Sequence, residues 1–107
     1  MWTKIAALAF LAAMSPMIAV AAAPEATEEF LVFCKSDAKG CEDEILRIYK
    51  TSMLAEPGVI CATKVQLKDR AALRNAITDW MANRPNLSRI GTLDSVTEAF
   101  KSVYPCR

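Results

Sequence analysis

Residues 28–53 read EEFLVFCKSDAKGCEDEILRIYKTSM. Two apolar-rich stretches, each carrying a cysteine, flank a short polar break. After the break, Ile45, Leu46, Ile48, Tyr49 and Met53 recur at i, i+1, i+3, i+4 and i+8, one stripe of a 3.6-residue helix. Before it, the apolar residues of a first helix are Phe30, Leu31, Phe33 and Cys34. Pro24-Glu25 suits a helix start, with Pro at the first helical position and Glu25, Glu28 and Glu29 near the positive end of the helix dipole. Residues 36–40 read as a polar turn. A second helix is expected to start near Cys41, acids first (Glu42, Asp43, Glu44), and to stop at Pro57-Gly58. Short connections make neighbouring helices antiparallel. On one unbroken helix, cysteines seven apart would lie about 10 Å apart, beyond the roughly 7 Å reach of a disulfide. The turn with Gly40 therefore permits a Cys34–Cys41 bond.

The rest of the chain continues the helical theme. Residues 59–67 are β-branched and apolar without a pairing partner, and read as an extended connection. Asp69 is a good N-cap for a third helix whose Leu73, Ala76, Ile77, Trp80 and Met81 share a face, and Pro85 closes it. Residues 86–91 form a loop. Thr92 is expected to cap a fourth helix with Leu93, Val96, Phe100 and Val103 on one side. Antiparallel packing of the last two helices brings Cys61 beside Cys106. Four cysteines allow three connectivities, so this pairing is an expectation. A thiolate zinc site is the rival reading, but Cys34 and Cys41 are seven apart, Cys61 and Cys106 forty-five apart, and no two-residue knuckle occurs. The expected fold is all-α, a small four-helix bundle stapled by two disulfides.

Upstream, Lys4, the apolar run 5–13, Pro16 and Ala19-Val20-Ala21 have the layout of an export signal cleaved after Ala21. Cleavage after Ala23 would place Pro24 at the +1 position, which is disfavoured. A retained transmembrane helix is the alternative, but the run is Ala-rich and interrupted by Ser15-Pro16. The expected organisation is a signal peptide, 1–21, and a single helical domain, 22–107, in the periplasm, where four cysteines oxidise. No stable membrane insertion is expected. A domain this small needs covalent staples to supplement its core.

Charge and residue types exclude several activities. Of 13 Lys+Arg only Lys4 falls before residue 22, which leaves 12 against 12 Asp+Glu. A neutral domain lacks the footprint of a nucleic-acid binder. The chain has no His, hence no imidazole base, no His-activated nucleophile and no histidine metal site. Glu42, Asp43 and Glu44 diverge by about 100° per residue on a helix and cannot converge as a carboxylate pair; dipole complementation and solubility are their expected roles. No catalytic residue, metal site or cofactor is expected. Charge is nonetheless divided: residues 24–56 carry eight acids and four bases, residues 57–107 four acids and eight bases. Docking of the two halves on each other is the simpler reading, a charged partner the functional one. The polar loop 84–91, with Arg84, Asn86, Ser88 and Arg89, is the expected partner-contact surface.

The order of motifs resembles the Rap/Tai family of periplasmic immunity proteins of type VI secretion. The resembling pieces are Phe30-Leu31-Val32-Phe33-Cys34, Cys41, Val59-Ile60-Cys61, Trp80-Met81-Ala82-Asn83-Arg84-Pro85, Val96-Thr97-Glu98-Ala99-Phe100, and the ending Tyr104-Pro105-Cys106. The chain departs from the family at Ile45-Leu46-Arg47-Ile48-Tyr49, where members carry a Tyr-Ile-x-Gly-like segment, and at Ala62-Thr63-Lys64, where a Pro is usual. The resemblance implies a compact helical fold, no enzymatic activity, frequent homodimers, and binding to a secreted peptidoglycan amidase whose cleft is blocked by a loop, here 84–91. A small acid-activated envelope chaperone and a structural or ligand-binding envelope module are the competing expectations.

Overall fold

The computed structural model describes residues 25–107, so the expected signal peptide and the helix-opening role of Pro24 lie outside the described residues. Five helices and one 3-10 turn follow in order: α1 (Thr27–Ser36), α2 (Ala38–Ala55), α3 (Lys64–Lys68), α4 (Arg70–Ala82), the 3-10 turn (Pro85–Leu87) and α5 (Thr92–Val103). The four longer helices pack on one another in every pairing. No strand longer than an isolated bridge occurs among the described residues, and none of their helices is long and apolar enough to cross a membrane. The fold is all-α and disulfide-stapled.

The polar break is shorter than its composition implies. Only Asp37 (φ −141°, ψ 83°) interrupts the helices. Its N–H closes α1 on the Phe33 carbonyl, and its carboxylate accepts the Gly40 N–H at 2.9 Å to cap α2. Helix α2 thus starts at Ala38 rather than near Cys41, because Asp37 satisfies its first turn. Glu42, Asp43 and Glu44 then fall beyond the first turn and do not complement the dipole. Gly40 does not supply a left-handed turn. It supplies space: a Cβ there would meet the Asp37 carboxylate and lie 2.9 Å from Phe33 Cζ. Among the described residues only Gly58 has positive φ, 86°, in the turn after α2.

Cys34 and Cys41 flank this elbow with Cα atoms 4.8 Å apart and are bonded. Cys61 and Cys106 are bonded at 4.9 Å. The second bond sits beside an antiparallel bridge between Ile60 and Pro105, where Cys61 N–H donates to the Tyr104 carbonyl at 2.7 Å and Cys106 N–H to the Val59 carbonyl at 3.3 Å. By chain entropy the 45-residue loop contributes about 4 kcal/mol and the short one about 2.5 kcal/mol.

The core holds Phe30, Ile45, Ile48, Leu73, Ile77, Met81, Val96, Ala99 and Phe100, with Tyr49 and Trp80 half-buried at its margin. Phe100 lies between the rings of Tyr49 (5.3 Å) and Tyr104 (6.0 Å). Three local expectations are corrected. Residues 59–67 are not wholly extended: Thr63 and Gln66 form a reciprocal capping box that nucleates α3. Asp69 caps α4 as expected, through Ala72 N–H. The α5 cap is Gly91, and Thr92 is the buried first helical residue. The buried stripe of α5 is Thr92, Ser95, Val96, Ala99 and Phe100, so Leu93 is 46% exposed and Val103 half-buried. Val96 and Phe100 lie on the stripe as expected; hydrophobicity alone missed Thr92 and Ser95, because the buried hydroxyls have partners elsewhere in the fold.

Gly40→Ala should destabilise the protein by about 1–3 kcal/mol, since the methyl displaces the Asp37 cap and Phe33. The urea midpoint at pH 7 measures this.

Candidate functional site

Loop 84–91 is exposed but tightly held. Within it, Leu87 N–H donates to Arg84 O (2.9 Å), Ser88 N–H to Pro85 O (3.1 Å) and Ile90 N–H to Leu87 O (2.9 Å). From outside, the start of α1 grips it: Thr27 N–H donates to Ile90 O (3.0 Å) and Glu28 N–H to Ser88 O (3.1 Å), while Thr92 N–H donates back to Glu25 O. Helix starts leave N–H groups without intrahelical acceptors; here two helices without side-chain caps satisfy theirs on each other's flanking chain. This explains why α1 begins at Thr27, with Ala26 bridged to Gly91, and does not include Glu25. The buried Thr27 hydroxyl adds a bond to Ile90 O at 2.7 Å and meets Ser95 Oγ.

Arg84 is the fixed point of the loop. Its guanidinium carbon lies 3.9 Å from the Trp80 ring centroid, and Nη1 donates to the Trp80 carbonyl at 3.1 Å. This cation–π stack orders an otherwise flexible side chain. Arg84, Asn86 and Arg89 are exposed; Ser88 is half-buried and its carbonyl serves the fold. Of the four expected contact residues, Arg84 and Ser88 line one cleft; Asn86 and Arg89 do not border it.

That cleft, about 270 Å³, lies between α1 and the end of α4 and is floored by Leu31, Met81, Ala82 and Pro85. A second cleft of about 410 Å³ continues along the same helices past Cys34, Ala38, Asn75 and Thr78. Leu31, Lys35 and Ala82 border both, so the two form one trough with Arg84 at its end. Lys35, Arg84, Glu28 and Asp79 charge its rim. Val32, 64% exposed, sits at the same end. Sequence reasoning missed this α1 wall; Val32, an apolar residue off the core stripe, was its one signal.

The divided charge is used in part internally. Arg70 pairs with Asp43 (3.0 Å), Arg74 with Glu42, and Lys101 with Glu56 (2.7 Å), each joining a base of the second half to an acid of the first. Glu42, Asp43 and Glu44 do diverge, toward Arg74, toward Lys39 and Arg70, and toward Arg47. The hydrogen bond from Lys39, aided by Arg70, holds the Asp43 carboxyl below its ordinary value. The bond to Glu56, with Glu98 behind it, raises Lys101. Burial, with Asp69 nearby, raises Tyr104. Among the described residues no three Cys, Asp or Glu side chains gather as a metal site requires.

Comparison with protein-family patterns, curated proteins and solved structures finds no match to this chain.

Two outcomes follow from this geometry. Thr27→Val removes the hydroxyl that serves Ile90 O and Ser95; it should cost about 1–3 kcal/mol and speed amide exchange at Ile90 more than in α2. The pairing of Asp43 stabilises the fold above the ordinary carboxylate range and is lost as pH falls through its lowered pKa, whereas that of Lys101 is complete below the ordinary lysine range and is lost as pH rises through its raised one. The stability difference between wild type and Asp43→Asn should therefore shrink from pH 5 to pH 2, and shrink at pH 7 in 1 M salt, as read from urea midpoints.

Proposed function

We propose that the exported chain is a binding module of the cell envelope that occludes a cell-wall hydrolase, a peptidoglycan amidase delivered by type VI secretion, in the manner of the immunity proteins its sequence resembles. The observation that carries this reading is the pre-ordered Arg84: stacked on Trp80, bonded to its carbonyl, and set at the entrance of a loop pinned by α1. Binding costs the entropy of ordering side chains and loops. A loop already fixed avoids that cost, and Arg and Trp are the residues on which interface energy concentrates. The trough behind Arg84 offers an apolar floor beside it. Acting this way, the chain blocks by surface complementarity and turns nothing over.

A second reading, an acid-activated chaperone, draws on the three carboxylate pairs that join the halves. Protonation would dissolve them and leave the chain strongly cationic. Suppression of client aggregation at pH 2–3 would favour it over the inhibitor.

The inhibitor reading is tested by periplasmic co-expression with a peptidoglycan amidase delivered by type VI secretion. Wild type should prevent lysis and bind the enzyme. Arg84→Ala should keep the fold but weaken binding at least about tenfold, the loss expected for an interface anchor. Equal binding by Arg84→Ala, or no amidase bound by wild type, overturns the assignment.

A further inference from the structure

The two disulfides sit in opposite surroundings. Cys34 and Cys41 are 8% and 0% exposed, part of the core between α1 and α2. Cys61 is exposed and Cys106 half-buried. The chain around Cys61 is also thinly anchored. From residue 61 to 69 no residue is buried, and α3 buries none of its five residues; Leu67 alone packs against the core from this segment. Val65 is 77% exposed. The strap is held at its far end by Asp69, which caps α4, and at its near end by the Cys61–Cys106 bond and the two backbone hydrogen bonds beside it. Immediately inward, Ile60 is 2% exposed, so the core stops where the bond begins. On the Cys106 side, α5 is held independently through Val96, Ala99, Phe100 and the Lys101–Glu56 pair.

We infer that Cys61–Cys106 is a thiol-exchange site for a dithiol reductant, whose opening releases the 61–69 strap and the 104–107 tail while the bundle stays folded. A thiolate of the dithiol attacks the accessible sulfur of Cys61, breaking the S–S bond and expelling Cys106 as thiolate. The second thiolate of the reductant then attacks its own sulfur in the mixed disulfide. It leaves as a cyclic or intramolecular disulfide and releases Cys61. Two electrons pass to the protein, the dithiol is oxidised, and the two cysteine thiolates take up protons. Cys34–Cys41 exchanges more slowly, because Cys41 is fully buried and Cys34, at the border of the trough, is only 8% exposed. The inference is independent of the amidase reading, since it concerns the opposite attachment of the chain and not the Arg84 loop.

The test uses the native oxidised protein, titrated with dithiothreitol at pH 7.5, quenched with iodoacetamide and mapped by peptide mass spectrometry. Cys61 and Cys106 should be labelled at least about tenfold faster than Cys34 and Cys41. At the stage where only they are labelled, helicity by circular dichroism should persist, and hydrogen exchange should rise at 61–69 and 104–107 but not in α1, α2 or α4. The double variant Cys61→Ser/Cys106→Ser should show the same local exchange without reductant. Labelling of all four cysteines together, labelling of Cys34 and Cys41 first, loss of helicity with the first bond, or an exchange pattern spread through the bundle would overturn the inference.

Discussion

An α-helix starts with N–H groups that its own turns cannot satisfy, and in α1 the first two are taken by the carbonyls of Ile90 and Ser88. Much of the molecule depends on that exchange. It draws the start of α1 alongside the start of α5, fixes the loop between α4 and α5, and seats the Thr27 hydroxyl against Ser95 inside the bundle. Buried hydroxyls are costly unless bonded, so Thr27 and Ser95 also specify the register of α1 on α5. Ser52 and Thr97 repeat the device between α2 and α5 with a 2.6 Å bond. The polar loop is thus a rigid part of the fold rather than a slack connection.

Around this seam the covalent and ionic contacts divide the labour. The Cys34–Cys41 bond closes an elbow that Asp37 already turns, so it reinforces local geometry. The Cys61–Cys106 bond closes a 45-residue loop and ties down chain that little else holds. Ion pairs at the surface contribute little each. Their arrangement matters more than their strength: Arg70, Arg74 and Lys101 pair with the acids of α2 and its end, and Arg74, so paired, borders the trough together with Lys35, Arg84, Glu28 and Asp79.

The helical class, the four main helices, the Cys34–Cys41 bond and the Asp69 cap were legible in the sequence because each rests on local periodicity or on short-range chain geometry, and the Cys61–Cys106 bond, 45 residues apart, because short connections make the last two helices antiparallel. The Thr63–Gln66 capping box was equally legible, as a Thr followed three residues later by Gln, and was obscured by the β-branched residues Val59, Ile60 and Val65 around it. The α5 stripe was legible at Val96 and Phe100 but not at its small and polar members Thr92, Ser95 and Ala99. Leu93 is the more apolar residue, but Thr92 is the one that faces inward, and nothing within α5 announces partners sixty-odd residues away. The candidate site was half legible. Arg84 and its loop stood out as polar chain between helices, whereas its stacking on Trp80 and the α1 wall of the trough did not.

By itself the sequence determined the four long helices, roughly where they stop, and that four cysteines in a small chain would staple them, because these follow from contacts within a few residues and from the entropy of a short chain. Tertiary structure alone decided where α1 and α5 begin, which face of α5 is buried, how the two oppositely charged halves pair, and that one disulfide is buried and the other exposed. The physical reason is the same in each case. A backbone N–H, a hydroxyl, a carboxylate or a sulfur acquires its environment from whatever chain is folded against it, and that partner is remote in the sequence.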